Sequence, residues 1–475
     1  MELDKDLQAR QEAREMAKAA RDAQLRLREF SQTQLDAIVE AMAGAFYEQA
    51  GELAELAVRE TGFGNVPDKI TKNHFASRRV AEAVLDMKTV GVLKENREER
   101  LWEVAVPKGV IAAIVPSTNP TSTVCYKAII ALKAGNTIVF SPHPKALFCT
   151  LRAAAIVAKA AEQAGAPKGS IGCLTIPSLD GCRELMGARE VNLILATGGP
   201  AMVKAAYSSG KPAIGVGAGN GPAYIHKTAD VSLALKQIAC SKNFDFGTVC
   251  ASEQSIIVER GMEQKVRQVA ETMGYYFMSD REAGDLAKLL FRPNGALNPE
   301  IVGKPAEFLA EKAGFRVPKD TKILVAREEA AGPTRPYSME KLCPVLAFYV
   351  MNSEDAVLEK VVEVLTHEGA GHTFAIHAND EAVVRRFALK VPVSRFLVNA
   401  PAALGGIGAA THLFPALTLG CGSVGGSSSS NNISPMDLLD IRKVAWGKEE
   451  PERPRANNND DLIEIITAKI LERLK

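Results

Sequence analysis

A chain of 475 residues is long enough for about three domains, and its own core can stabilise it without disulfides or metals. Its 57 Lys+Arg against 56 Asp+Glu leave a formal net charge of +1, so no global field draws it to nucleic acid or an anionic membrane. A hydrophobic share of 47% with 24% charged residues is that of an ordinary globular protein, not a disordered or fibrous one. In chain order, residues 3–60 are Ala-rich, with charges four apart and few breakers, and are predicted helical. Residues 104–115 read as a hairpin or strand turning at Pro107-Lys108-Gly109, followed by a helix over 122–134 and a strand over 136–140. Helix 146–164, strand 170–176, helix 181–187 and strand 193–196 then alternate. A second alternating half runs over 231–420, with strands at 255–258, 323–326, 345–350, 373–376 and 396–399. Such alternation predicts an α/β fold with mostly parallel sheets and a ligand cleft between two halves.

Glycine-rich segments are weak signals taken one at a time. Gly420-Cys-Gly-Ser-Val-Gly425 has the spacing of a dinucleotide fingerprint, but a Ser/Asn run follows it instead of a helix. Gly215-Val-Gly-Ala-Gly-Asn-Gly221 is spoiled as a template by Pro222, and 405–408 reads as a loop. Thr197-Gly198-Gly199-Pro200 is better placed, because it follows an apolar strand and opens a helix whose free amides suit a phosphate. In 367–372 the two histidines are five apart and glycines interrupt them, so no zinc-protease helix and no metal site is expected. His372, at a strand entrance, is a candidate for proton handling, against the commoner reading of a merely hydrogen-bonded histidine.

The eight cysteines include no C-x-x-C, residues 1–6 lack the apolar centre of a signal peptide, and no run of about 20 apolar residues occurs. These features predict a reduced, cytoplasmic protein with no membrane or nucleic-acid partner. Cys250 stands out because a Gly-containing loop carries it between a helix and an apolar strand. A free thiol with a pKa of about 8.5 is only a few per cent thiolate at neutral pH, so a nucleophilic role requires activation.

Residues 241–254, Ser-Lys-Asn-Phe-Asp-Phe-Gly-Thr-Val-Cys-Ala-Ser-Glu-Gln, resemble the nucleophile segment of CoA-acylating aldehyde dehydrogenases. Residues 114–123 are similar to the oxyanion loop of that family, and 368–373 and 412–426 resemble two further motifs. The likeness extends over about residues 5–447 and is nearest to propionaldehyde or acetaldehyde dehydrogenases of bacterial microcompartments. It implies an aldehyde dehydrogenase-like α/β fold: two Rossmann-like domains, a small β oligomerisation unit and a C-terminal tail helix. The implied boundaries are 1–228 for NAD binding (with a hairpin at 101–110 belonging to the oligomerisation unit), 229–425 for catalysis and 426–447 for a pairing strand. The resemblance also implies a homodimer or dimer of dimers.

The same resemblance makes Cys250 the nucleophile, with Asn119 and the Cys250 backbone N–H as oxyanion donors and His372 helping to deprotonate coenzyme A. It assigns the nicotinamide cofactor to Thr197, Gly198, Gly199, Glu340, Ser141, Pro142 and Gly217. Hydrolytic relatives carry a Glu-Leu-Gly-Gly-Lys segment whose carboxylate activates water. Gly215 is expected at that place here, and glycine cannot act as a base. The implied reaction takes a short aldehyde, propionaldehyde ahead of acetaldehyde, with NAD and coenzyme A to acyl-CoA and NADH. NADP stays open, since 141–145 holds no carboxylate to repel a 2′-phosphate. The alternatives are a sulfoacetaldehyde or succinate-semialdehyde substrate, or a noncatalytic microcompartment scaffold.

Residues 448–461 contain no Leu, Ile or Val and are expected to be a flexible linker. Asp461 is then expected to cap a helix over 462–475, where Leu462, Ile466, Ile470 and Leu474 form one apolar stripe. This tail resembles the encapsulation peptides of microcompartment enzymes. The resemblance implies a shell-protein partner and a microcompartment lumen as location.

Overall fold

The computed structural model describes residues 4–447 and 459–474. The larger of its two compact units comprises the residues up to Thr89 together with Pro107–Leu439; the smaller comprises Val90–Val106 and the residues from Asp440 on.

Two parallel sheets organise the larger unit. The first has the spatial order Ile171–Cys173, Thr137–Ser141, Val110–Ile114, Val191–Thr197, Ala213–Val216. Val110–Ile114 and Thr137–Ser141 are buried at every position, as continuous apolar runs must be when helices cover both faces of a sheet. The chain leaves Val110–Ile114 toward one side and returns to its other side as Val191–Thr197. The carboxyl ends of these two strands therefore diverge into a crevice, the usual ligand position in such a sheet.

The second sheet has the order Tyr275–Phe277, Ile323–Arg327, Val345–Met351, Glu253–Glu259, Gly221–Ile225, Gly371–His377, Val393–Val398, again all parallel. Alternate residues feed two cores. Tyr224, Ile257, Leu324 and Val345 pack on one face, and Ala223, Ile256, Val258 and Val325 on the other. Gly221–Ile225, which a boundary at 228 would leave with the first half, is a central strand of this second sheet. Because the strands are parallel, the segments just before Gly221, Glu253 and Gly371 emerge along one edge, and this edge carries Cys250 and His372.

In the smaller unit Gly91–Asn96 pairs antiparallel with Leu101–Pro107, and the sheet is completed by Leu439–Ala445. Trp102 and Trp446 meet edge to face at 4.9 Å. The expected hairpin at 101–110 is thereby corrected. Its first strand is Gly91–Asn96, and the expected 104–115 run is cut by Gly109 (φ 127°) into strands of two different sheets. Residues 448–458 of the expected linker lie outside the described residues. The tail helix spans Asn459–Arg473, so Asp461 falls inside it instead of capping it. No described helix is long and apolar enough to cross a membrane.

Candidate active site

A cavity of about 490 Å³ opens at the crevice of the first sheet. Its lining brings together Asn119, Thr197, Gly198, Gly199, Gly217, Cys250 and Glu340 from segments far apart in sequence. His372 lies behind this surface, and Ser141 and Pro142 are buried outside the lining. From the loop after Ser141 it is His143 and Lys145 that reach the cavity.

Cys250 is half-buried and follows a strained loop. Asp245, Phe246 and Gly247 adopt φ of 50°, 51° and 77°, a left-handed run that costs about 1–2 kcal/mol for each non-glycine residue. The Asp245 carboxylate holds this loop. It accepts from Asn65 N at 2.9 Å, Lys69 Nζ at 2.9 Å, Lys72 Nζ and Thr248 Oγ1. A Cβ on Gly64 would stand 1.9 Å from Asp245 Oδ1, so only glycine admits the carboxylate there. Burial opposes the charge on Asp245, yet Lys72 and Lys69 outweigh it and keep the carboxylate below its ordinary range. Burial likewise pushes the Cys250 thiol up to about 12, helped by Glu340, while Arg395 and the Cys250 backbone N–H act the other way.

Asn119 occupies the N-cap of helix Pro120–Lys133, where an asparagine normally bonds the first free amides. Here its side chain makes no capping bond and turns to the site. Its Nδ2 donates to Thr118 Oγ1 and to Thr248 O, both at 3.2 Å, and its Oδ1 accepts from Lys72 Nζ. Bonds of 3.2 Å are at the long end of the normal range and exchange readily for a stronger acceptor. Lys69 and Lys72 come from helix Val66–His74, started by Asn65 Oδ1 accepting from Asp68 N at 3.0 Å. Burial lowers the Lys72 ammonium to about 8 against the pull of Asp245. Sequence reading gave neither lysine nor Asp245 a role. The available signal was three-residue spacing on a short helix, which ordinarily marks a solvated face.

Glu340 accepts from Gly219 N at 2.9 Å; burial, then Glu368, raises its carboxyl to about 8. His372 pairs through Nδ1 with Thr373 Oγ1 at 2.9 Å, and its buried Nε2 has no partner among the described residues. Burial drives its pKa well below the ordinary value, keeping the ring neutral. A Cβ built on Gly219 would lie 2.0 Å from Cys250 O and 3.3 Å from His372 Cε1, which places the histidine against the backbone beside the nucleophile loop.

The end of strand Ala213–Val216 turns its last two residues opposite ways. A Cβ on Gly215 would meet Val203 Cγ1 at 2.7 Å and Tyr207 Cε2 at 2.8 Å, facing away from the cavity, whereas Val216 lines it. Neighbours in a strand point to opposite faces, so the cavity position is Val216. No side chain from 215 to 219 carries a base in either register.

A nicotinamide dinucleotide fits the cavity by two local tests. Thr197 Oγ1 is buried with no partner among the described residues, and a Cβ on Gly199 would meet nothing within 4 Å, so the start of helix Pro200–Tyr207 offers an unpaired hydroxyl and open space side by side. Such a helix start favours a phosphate. Glu340 lines the same cavity, and its carboxyl would suit the hydroxyls of a bound ribose.

Residues 5–282 match the aldehyde dehydrogenase family. The chain is 45% identical over 435 residues to the bifunctional aldehyde-alcohol dehydrogenase AdhE of Escherichia coli, covering 90% of this chain and 49% of that protein. It thus spans about half the length of the first curated relatives it matches. Among solved structures, an acetylating aldehyde dehydrogenase from Geobacillus thermoglucosidasius superposes with a TM-score of 0.92 at 48% identity, covering 95% of this chain and all of that one. A propionaldehyde dehydrogenase from the fucose utilisation microcompartment of Clostridium phytofermentans gives 0.82 at 28% identity, covering 92% and 98%. The chain belongs to the aldehyde dehydrogenase family, in its CoA-acylating branch.

Proposed function

We propose that this protein converts a short aldehyde, NAD⁺ and coenzyme A reversibly into acyl-CoA, NADH and a proton, with acetaldehyde preferred to propionaldehyde. The order of substrates follows the identities, 48% to the acetylating enzyme against 28% to the propionaldehyde enzyme. Cys250 loses its thiol proton to solvent and attacks the carbonyl carbon as the thiolate, and the oxygen, as it gains charge, takes hydrogen bonds from Asn119 Nδ2 and the Cys250 N–H. The cofactor, when bound, accepts the hydride leaving that carbon. An acyl thioester then remains on Cys250. The observation that supports the acylating reading is that no residue of 215–219, of which Val216, Gly217 and Ala218 line the cavity, carries a side-chain base. Without that base, water is a poor acceptor, and the thiol of coenzyme A takes the acyl group. Neutral His372, with Nε2 free of partners among the described residues, is the group proposed to receive the thiol proton.

NADH formation from acetaldehyde and propionaldehyde, with and without coenzyme A, tests the reading. Equal rates without coenzyme A, with free acid as product, would overturn it. An exposed cation at the cavity rim, Arg292, supports one second reading, an aldehyde with an anionic tail such as sulfoacetaldehyde or succinate semialdehyde. A higher kcat/KM for these than for acetaldehyde would establish it. The scaffold reading predicts a Cys250 that iodoacetamide labels at the same rate with and without aldehyde plus NAD⁺.

The tail is proposed as an address. All seven Leu and Ile residues of 462–474 are exposed, a helix face suited to a groove in a shell protein of a microcompartment. Residues 448–475 fused to a fluorescent protein are expected to form foci in compartment-forming cells, and diffuse fluorescence would remove the proposal. Pairing through the sheet of the smaller unit, giving a homodimer or dimer of dimers, is proposed on the exposed Ile441 and Trp446.

A further inference from the structure

Lys72 is 2% exposed, lines the cavity, and is absorbed by none of the roles above. An ammonium has three donors and no acceptor, so the Asn119 atom facing it must be the amide oxygen. On the opposite side, Thr248 O is an acceptor only, so the atom facing it must be the amide nitrogen. Both neighbours impose the same amide orientation, with the NH₂ group presented beside Cys250.

Lys72 is itself fixed by the Asp245 carboxylate and by Thr248 Oγ1 at 3.3 Å. One ammonium therefore ties the oxyanion loop, through Asn119, to the nucleophile loop, through Asp245 and Thr248. Lys69 runs in parallel: it bonds Asp245 and also Thr118 O at 3.0 Å, one residue before Asn119, but leaves the amide untouched.

We infer that Lys72 is a positioning residue for the oxyanion site: its ammonium holds the Asn119 amide so that the NH₂ group faces the carbonyl oxygen of a substrate bound at Cys250. The inference rests on the proposed thioester chemistry and adds to it a residue that touches neither substrate nor sulfur. Without this donor the amide is free to turn. A misplacement of about 1 Å can cost about 10²-fold in rate.

The test measures single-turnover NADH formation from acetaldehyde in the full-length enzyme for Lys72→Met, Asn119→Ala and the double variant. Lys72→Met is expected to slow the step about 10²-fold in the wild-type background and by a clearly smaller factor in the Asn119→Ala background, where only its hold on Asp245 and Thr248 is left to lose. Equal fold-losses in the two backgrounds, or no loss in the first, would overturn the inference. Should Lys72→Met fail to fold by circular dichroism, Lys72→Gln is compared in the same two backgrounds, and the same ratio decides. An Asn119→Ala enzyme as fast as wild type would instead reject the oxyanion assignment on which the inference rests.

Discussion

Moving a carboxylate to the cavity wall should convert this enzyme from thiol acceptor to water, and the structure states at which of two adjacent positions. Val216→Glu replaces a valine that lines the cavity and is 2% exposed, forfeiting about 1.5–3 kcal/mol of burial. The new carboxyl, half desolvated, has its pKa raised above the ordinary value of about 4.3, toward the range where a general base works best. A positioned base typically adds about 10²–10⁴-fold to a proton-transfer step. Gly215→Glu is different in kind. Its Cβ would stand 2.7 Å from Val203 and 2.8 Å from Tyr207, and overpacking of this sort costs about 1–3 kcal/mol without delivering a base to the thioester. The assay is steady-state NADH formation from acetaldehyde without coenzyme A, with the released acid quantified. Val216→Glu is expected to release acid at least about 10²-fold faster than wild type, and Gly215→Glu to stay at the wild-type rate with a lowered Tm. Hydrolysis by Gly215→Glu alone would refute the register read from the structure. Hydrolysis by neither would refute the argument that a missing base is what excludes water.

Three further outcomes follow from the same geometry. Asn119→Ala removes one of the two proposed oxyanion donors and should lower kcat about 10²–10³-fold while leaving NAD⁺ binding, measured by fluorescence quenching, within about twofold. The free-enzyme Cys250 thiol, held at about 12, should alkylate with iodoacetamide at a rate rising about tenfold per pH unit from pH 7 to 10, because only the thiolate reacts; a plateau below pH 9 would contradict this environment. Glu340, its carboxyl raised to about 8, is mostly protonated at neutral pH, so Glu340→Ala loses a neutral hydrogen bond of about 0.5–1.5 kcal/mol and its Kd for NAD⁺ should rise about 2–10-fold. Above about pH 8, where the carboxylate is charged, the same change removes one of the causes raising the thiol and should speed alkylation.

The contiguous parts of this site were legible in the sequence. Cys250 and the Thr197–Gly199 turn each sit at a break between regular elements, and such breaks are marked by Gly, Pro and the end of an apolar run, whereas Asn119 came from the resemblance alone. The alternating pattern likewise gave two parallel sheets. The direction of each side chain at this strand end was not legible, because only packing against Val203 and Tyr207 shows that Gly215 faces away from the cavity that Val216 lines. Nor was sheet membership: Gly221–Ile225 reads as a short run after a glycine-rich loop, and its neighbours Glu253–Glu259 and Gly371–His377 lie far along the chain. Lys69 and Lys72 were illegible for a deeper reason. Lysines three apart on a helix ordinarily coat a solvated surface, and only the tertiary approach of Asp245 turns that face inward.

That buried cluster also explains why the nucleophile loop tolerates its strain. A buried ion pair is weak evidence for stability, since desolvating the charges offsets most of their attraction, and packed apolar residues would do as well. Apolar side chains would not hold Asp245 and Phe246 in left-handed conformations, because nothing apolar bonds Asn65 N and Thr248 Oγ1 at once. Removing the carboxylate therefore releases the loop as well as the lysines. In Asp245→Ala the cost of the left-handed run is no longer opposed, and two buried ammonium groups lose their bonded carboxylate and keep only the more distant Asp68, a loss of up to about 3–5 kcal/mol by the usual cost of breaking such a pair. The conservative Asp245→Asn keeps an acceptor for Asn65 N but surrenders the charge. If the carboxylate serves the loop and not the fold at large, Asp245→Asn should retain most of the wild-type Tm yet lose the uniform alkylation of Cys250, giving two reactive populations in a single iodoacetamide time course. A single population at the wild-type rate would show that the loop holds its conformation without the charge.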